Sequence, residues 1–303
     1  MRTRNAVFLA TLALMVGAGT TFLAGRSHSE ATTTVHELAQ QTHFHGLAVD
    51  GADPERLYLA THHGLWAIER DGTARLISQT TDDFMGFTPH PVDPSILYAS
   101  GHPPGGGNLG FIVSTDGGES WTQLSPGVGG PVDFHQMDVS PADPSTIYGA
   151  YAGQVQVSRD GGRSWQIVGP APEGLIDLAA SAHDPERLYA ATERGLLLSE
   201  DGGRTWQDAY WLRQPATMVH TTPDGAVYAF VIGTGLIRTS EPGLAWQPVA
   251  DDFGENYVLH FAVDPTDPQK LYGVTLHPQS HRQTIVASRD GGRTWSAFRP
   301  AAH

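Results

Sequence analysis

From residue 43 onward the chain alternates short apolar stretches with clusters of Asp, Pro and Gly. No stretch carries the 3.6-residue periodicity of a long amphipathic helix. The recurring pattern is an apolar run, a turn containing "DP", a second run of the form "LYxA", a loop, a third run such as "GLLLS", a "DGG" turn, and a Trp that opens a fourth run. Runs of this length, bounded by turn residues, predict β-strands. The "DP" mark appears in "ADPERLYLA", "VDPSILYAS", "ADPSTIYGA", "HDPERLYAA" and "TDPQKLYGV", with "PDGAVYAF" as a decayed copy. The second mark appears as "STDGGESW" (114–121), "SRDGGRSW" (158–165), "SEDGGRTW" (199–206) and "SRDGGRTW" (288–295), with "IERDGTAR" and "TSEPGLAW" decayed.

Both turns have a physical rationale. Asp side chains accept bonds from nearby backbone N–H groups, and Pro fixes φ. In "DGG" the glycines take positive φ without a Cβ penalty. The following Trp is large enough to wedge between adjacent sheets. The two marks alternate with a period of about 40–50 residues, the size of one four-stranded propeller blade. The expected architecture is an all-β, six-bladed β-propeller with four-stranded antiparallel blades, divided at 42–80, 81–130, 131–172, 173–214, 215–253 and 254–299. Residues 42–303 form the propeller domain in this reading, and residues 31–41 a linker or a strand that closes the ring.

The motif S-x-D-G-G-x-[ST]-W resembles the Asp box, or bacterial neuraminidase repeat. That resemblance spans nearly all of the chain after its first 30 residues. It implies an Asp-box propeller of the superfamily that includes sialidases and other glycoside hydrolases, sortilin-type receptors and photosystem II assembly factors. It also implies that Asp116, Asp160, Asp201 and Asp290 are structural. Fold of this kind does not fix function.

Composition narrows the partners. Formal net charge is −14, which argues against nucleic acid or an anionic membrane surface. There is no Cys, so disulfides and thiolate metal sites are excluded. The first 30 residues run from basic "MRTRN" through apolar "AVFLATLALMVGAGTTFLA" to polar "GRSHSEATTT". This is the pattern of a signal peptide or an uncleaved signal anchor. Either places the remainder outside the cytoplasm, as a secreted, periplasmic or outward-facing anchored protein. Membrane contact then occurs only through that segment.

The 15 histidines nearly equal the 18 Lys plus Arg, and many fall at one strand level. Aligning the first strand of each blade on its "DP" turn puts His43, Asp83 and Asp133 in one column. His45, Met85 and His135 fill the column two residues on. Residues i and i+2 share a strand face. The same columns in blades four and six hold Gly174, Ile176, Tyr257 and Leu259, which are poor in ligands, and blade five offers Met218 at the second layer. His62 and His102 begin the second loops of blades one and two, at the same end, with His63 and His277 close by. His43, His45, His62, His102, His135 and Met85 are therefore expected to cluster at one channel mouth. His with Met suits copper, and His with Asp suits zinc. The alternative is that each ring bonds a backbone carbonyl and Met85 fills the core. His28, His36, His90, His183, His281 and His303 read as surface or tail residues.

The leading function is a binding or scaffold protein with a copper- or zinc-binding mouth, its partner a metal ion or an unidentified protein or glycan. The second reading is a glycoside hydrolase using carboxylates from Asp82, Asp83, Asp133, Asp177, Asp251, Asp252 and Glu255. Sialidase chemistry needs an arginine triad. Only Arg194, Arg213 and Arg282 lie in loops facing the same way, and the F/Y-R-I-P signature is absent, so no sialidase activity is expected.

Overall fold

The structure, a computed structural model, describes residues 31–298. The expected targeting segment, His28 and His303 lie outside them. Six antiparallel sheets of four sequential strands each, labelled A to D from the axis outward, make a six-bladed β-propeller. The A strands are Phe44–Val49, Asp83–Pro89, Gln136–Val139, Leu175–Ala180, Ala216–Thr221 and Tyr257–Val263. Each packs on the next, and the last returns to the first. Among the described residues no helix is long and apolar enough to cross a membrane.

The Asp boxes are built alike. In blade four, Ser199 Oγ donates to Asp201 Oδ1 (2.8 Å) and accepts from the Gly203 N–H (2.8 Å). Asp201 also accepts from the Thr205 N–H (2.9 Å) and hydroxyl (2.6 Å). The same bonds recur at Asp116, Asp160 and Asp290. These carboxylates are thus consumed by their own turns. The Trp that follows each box seals one blade against the preceding one. Trp165 packs edge-on against Phe111 and at a tilt against Phe134, with centroids 5.2 and 4.8 Å away, and donates to Ser125 Oγ at 2.9 Å. The decayed box of blade five keeps this role, with Trp246 Nε1 donating to the Ala209 carbonyl at 2.9 Å.

Residues 31–41 do not close the ring. Thr32–Thr34 pairs with Thr73–Leu76, the outermost strand of blade one, and makes that sheet five-stranded. A short helix, Val35–Gln41, follows, started by a capping box between Thr34 and Glu37. Its Leu38 is buried in the core shared by blades one and six. Every blade already has four strands of its own, so no vacant position remains for a terminal strand to fill. Closure is made instead by side chains. Gln283 Oε1 accepts from the Phe44 N–H at 2.7 Å, Gln283 Nε2 donates to the Phe44 carbonyl at 3.2 Å, and His260 Nε2 lies 3.1 Å from the same carbonyl.

Candidate metal centre

At the entrances of the A strands of the first three blades stand matching buried aromatics, Phe44, Phe84 and Phe134, each at most 1% exposed. Because strand faces alternate, the residues flanking each Phe turn the other way. These are His43 and His45, Asp83 and Met85, Asp133 and His135. Strand B brings the partners. Asp83 pairs in register with His102. That approach requires Gly101, which has φ +125°, because a Cβ there would stand 1.9 Å from the Asp83 carbonyl. Gly86, with φ +52°, plays the same part between blades two and three, where a Cβ would meet the Phe134 carbonyl at 2.2 Å.

The result is a continuous arc over blades one to three. His45 Nε2 lies 3.2 Å from the His62 ring nitrogens. His62 Nδ1 is 2.6 Å from Asp83 Oδ2, and His45 Nε2 is 3.8 Å from Asp83 Oδ1. His102 follows, 3.4 Å from Asp83 Oδ2 and 3.8 Å from Asp133 Oδ2. His135 Nε2 completes the arc 2.8 Å from Asp133 Oδ2. Two sets of three emerge, His45/His62/Asp83 and His102/Asp133/His135. Within each set the ligand atoms lie within 4.8 Å of one another. Asp83 Oδ1 and Asp133 Oδ1 are both buried and accept no hydrogen bond. Buried carboxylate oxygens without a donor are uncommon and need a reason.

The rings differ electrically. Desolvation, and then the positive charge His62 would carry, hold His45 well below the ordinary imidazole range, which favours the neutral ring. Desolvation also lowers His43, with smaller contributions from His62 and His281. At His135 desolvation is outweighed by the Asp133 hydrogen bond and by the charges of Asp133 and Asp83, and its pKa is raised.

Of the residues expected at the mouth, His45, His62, His102 and His135 fall into the two sets. His43 is exposed at the rim, its ring 5.7 Å from that of His62 in an edge arrangement. Met85 is 8% exposed, within a strand paired through Ser100. His63 turns aside to Thr42 Oγ1 (3.1 Å), and His277 lies 3.7 Å from Glu255. The two carboxylates at the centre of the arc, Asp83 and Asp133, belong to a column that the sequence pattern defines, although there their residue type suits hydrolysis as well as ligation. Their contacts with His62 and His102 cross from one blade to the next, a neighbourhood that no residue pattern announces. Asp177 is withdrawn from the mouth: its oxygens accept from the Leu178 and Val219 N–H groups, tying blade four to blade five. Arg194 pairs with Glu173 (2.8 Å) and Arg213 with Asp208 (2.7 Å).

The architecture defines a BNR-type, Asp-box β-propeller, and residues 112–123 match the BNR/Asp-box repeat family. No curated protein sequence matches the chain. Solved structures show the same fold at low identity. The GH74 xyloglucanase from Xanthomonas campestris is 19% identical, with a TM-score of 0.56, over 84% of this chain and 45% of its own. The GH74 enzyme of Niastella koreensis is 14% identical, with a TM-score of 0.59, over 84% and 45%. YCF48 bound to D1 peptide is 17% identical, with a TM-score of 0.52, over 91% and 88%. The chain spans less than half the length of those GH74 enzymes.

Proposed function

We propose that this protein is an exported, non-enzymatic binding propeller whose mouth captures a divalent transition-metal ion, zinc or copper(II). One observation carries this reading: His45/His62/Asp83 and His102/Asp133/His135 each gather three donors around a common point. Two imidazoles and a carboxylate are a normal donor set for Zn²⁺, and imidazole also suits Cu²⁺. With Met85 in the strand wall, oxygen and nitrogen donors favour Cu²⁺ over Cu⁺. The donorless oxygens of Asp83 and Asp133 give an ion a place to bind without breaking an existing bond. The basic, apolar and polar succession at the N-terminus supports an extracytoplasmic setting. A protein or glycan partner for the metal-loaded face fits the scaffold role.

Glycoside hydrolysis would need a proton-donating carboxyl and a second carboxylate free to act on a sugar or a water. Asp83 and Asp133 are each engaged by imidazoles, which favours the metal reading.

Calorimetric titration of the full chain, without a His tag, with Zn²⁺ and Cu²⁺ tests it. Stoichiometric binding is expected, weakening as pH falls and the imidazoles protonate, and lost in His45→Ala/His135→Ala. Binding that persists in that double variant, or no binding by the unaltered chain, overturns the proposal.

A further inference from the structure

His102 does not belong to one donor set alone. One ring nitrogen, Nε2, lies 3.4 Å from Asp83 Oδ2, and the other, Nδ1, lies 3.8 Å from Asp133 Oδ2. These carboxylates sit at the A strands of neighbouring blades, each with its own imidazole partners: His62 and His45 for Asp83, His135 for Asp133. The two lone pairs of an imidazole diverge in the ring plane, so a single ion can take only one. A ring with a carboxylate and further imidazoles before each nitrogen is placed between two ions.

The backbone fixes that position. His102 ends strand B of blade two in register with Asp83, after Gly101 has allowed the strands to approach and before Pro103 turns the chain away. The donor spacings bracket those of coordination, from 2.6 Å between His62 and Asp83 to 3.8 Å between His102 and Asp133. With metal–ligand bonds of about 2.0–2.1 Å, tetrahedral geometry puts neighbouring donors about 3.3 Å apart. His45 and His62 are 3.2 Å apart, and His102 and Asp83 are 3.4 Å apart.

We propose, resting on the metal reading above, that the mouth holds two transition-metal ions joined by the His102 imidazolate. His45, His62 and Asp83 bind the first, and Asp133 and His135 bind the second. His102 supplies Nε2 to the first ion and Nδ1 to the second. To bridge, the neutral ring gives up its one N–H proton to solvent, and the two ions stabilise the resulting anion. The charges then nearly balance: two carboxylates and one imidazolate face two divalent cations.

Copper(II) titration with electron paramagnetic resonance tests the pair. The full chain should take up two equivalents, and its doubly integrated signal should be less than half that of two isolated ions, because spins couple through a shared imidazolate. His102→Ala should bind one equivalent tightly, at the His45/His62/Asp83 set, with its full signal. The melting temperature of the metal-free variant checks that it folds. If it does not fold, the stoichiometry and signal of the unaltered chain decide alone. Two equivalents at full, uncoupled intensity would overturn the bridge. One equivalent in the unaltered chain would overturn the pair and leave the metal reading standing. No stoichiometric copper would remove both.

Discussion

Gln283, on the third strand of blade six, holds both the N–H and the carbonyl of Phe44, on the first strand of blade one, 239 residues away. Gln283 and Phe44 are both buried, so the pair joins the two ends of the ring where water cannot substitute. Gln283→Leu would strip the Gln283 amide from both groups of the Phe44 backbone, leaving the carbonyl to His260 alone. The expected cost is about 1–3 kcal/mol, from the desolvated Phe44 N–H left without that partner, read from the denaturant midpoint. Metal affinity should also fall, since Phe44 lies between His43 and His45. A variant as stable as the parent would show that this joint is not what holds the ring closed.

Asp83→Asn should abolish tight metal binding at the first donor set while lowering the melting temperature by only a few degrees. Asp83 is in contact with His45, His62 and His102, and an amide supplies a weaker, uncharged donor. A competition assay against a chromophoric zinc chelator gives the affinity. Undiminished zinc retention would remove Asp83 from the ligand set.

Trp206→Ala should destabilise by about 2–3 kcal/mol, below the roughly 3–5 kcal/mol of a fully buried aromatic. Trp206 is half-buried against the core of blades three and four. Its Nε1 makes no hydrogen bond, so the loss is one of packing alone. A change within a few tenths of a kcal/mol in urea titration would mean that the box Trp does not seal its blade.

The Asp boxes should lend the protein acid sensitivity. Hydrogen bonds from Ser164, Thr205 and Thr294, hydroxyl first and then N–H, hold Asp160, Asp201 and Asp290 at about 2, below the ordinary 3.8. The folded chain therefore resists protonation. Their contribution is complete above about pH 4 and is lost as pH falls toward 2. The triple Asn variant should show a flatter stability curve over that interval. An unchanged slope would contradict the assignment.

Nearer the axis two opposed effects meet. Desolvation raises Asp177 to about 7 against the pull of its backbone donors, and lowers His220 and His260 to about 4. The raised carboxyl makes stability fall as pH climbs from about 4 through 7. The lowered imidazoles make stability fall as pH drops from about 6.5 to 4. Relative to Asp177→Asn, the parent should therefore be less favoured at pH 7 than at pH 4.5, by chemical denaturation at each pH. A constant difference would place no proton on Asp177.

No turnover of a fluorogenic sialoside is expected. Arg194 and Arg213 are committed to Glu173 and Asp208, and a carboxylate clamp needs three convergent guanidinium groups. Turnover lost on changing Arg194, Arg213 or Arg282 would reverse that conclusion.

The blades are legible in the sequence because their turns are local. The bonds of an Asp box span four residues, so the residues that make it stand together in the chain. The column of His43, Asp83 and Asp133 is legible for a similar reason, since side chains alternate strictly along a strand. What lies beyond reach is direction. Bulges after Phe44 and after Met85 shift the register of the first two A strands. They arrive with a Gly at positive φ in blade two, but nothing in a linear pattern says which way the next side chain then points. Met85 is buried in the wall rather than in the donor arc, and the two carboxylates are the centres around which the imidazoles gather. His220 and His260, deep in the ring, carry no sequence mark at all.

Among the described residues each sheet is spelled out by one uninterrupted stretch of chain, and no strand is lent across the joint between blades six and one. The propeller is thus a split washer, its gap fastened by side chains rather than by an interlocked strand. The five other joints already have a peptide running through them. The donor arc lies over two of these, blades one to two and two to three. The gap can therefore spring without drawing His62 away from Asp83, or His102 away from Asp133. The order of blades could be cyclically relabelled, with a new gap opened elsewhere, and each sheet would still find its own four strands.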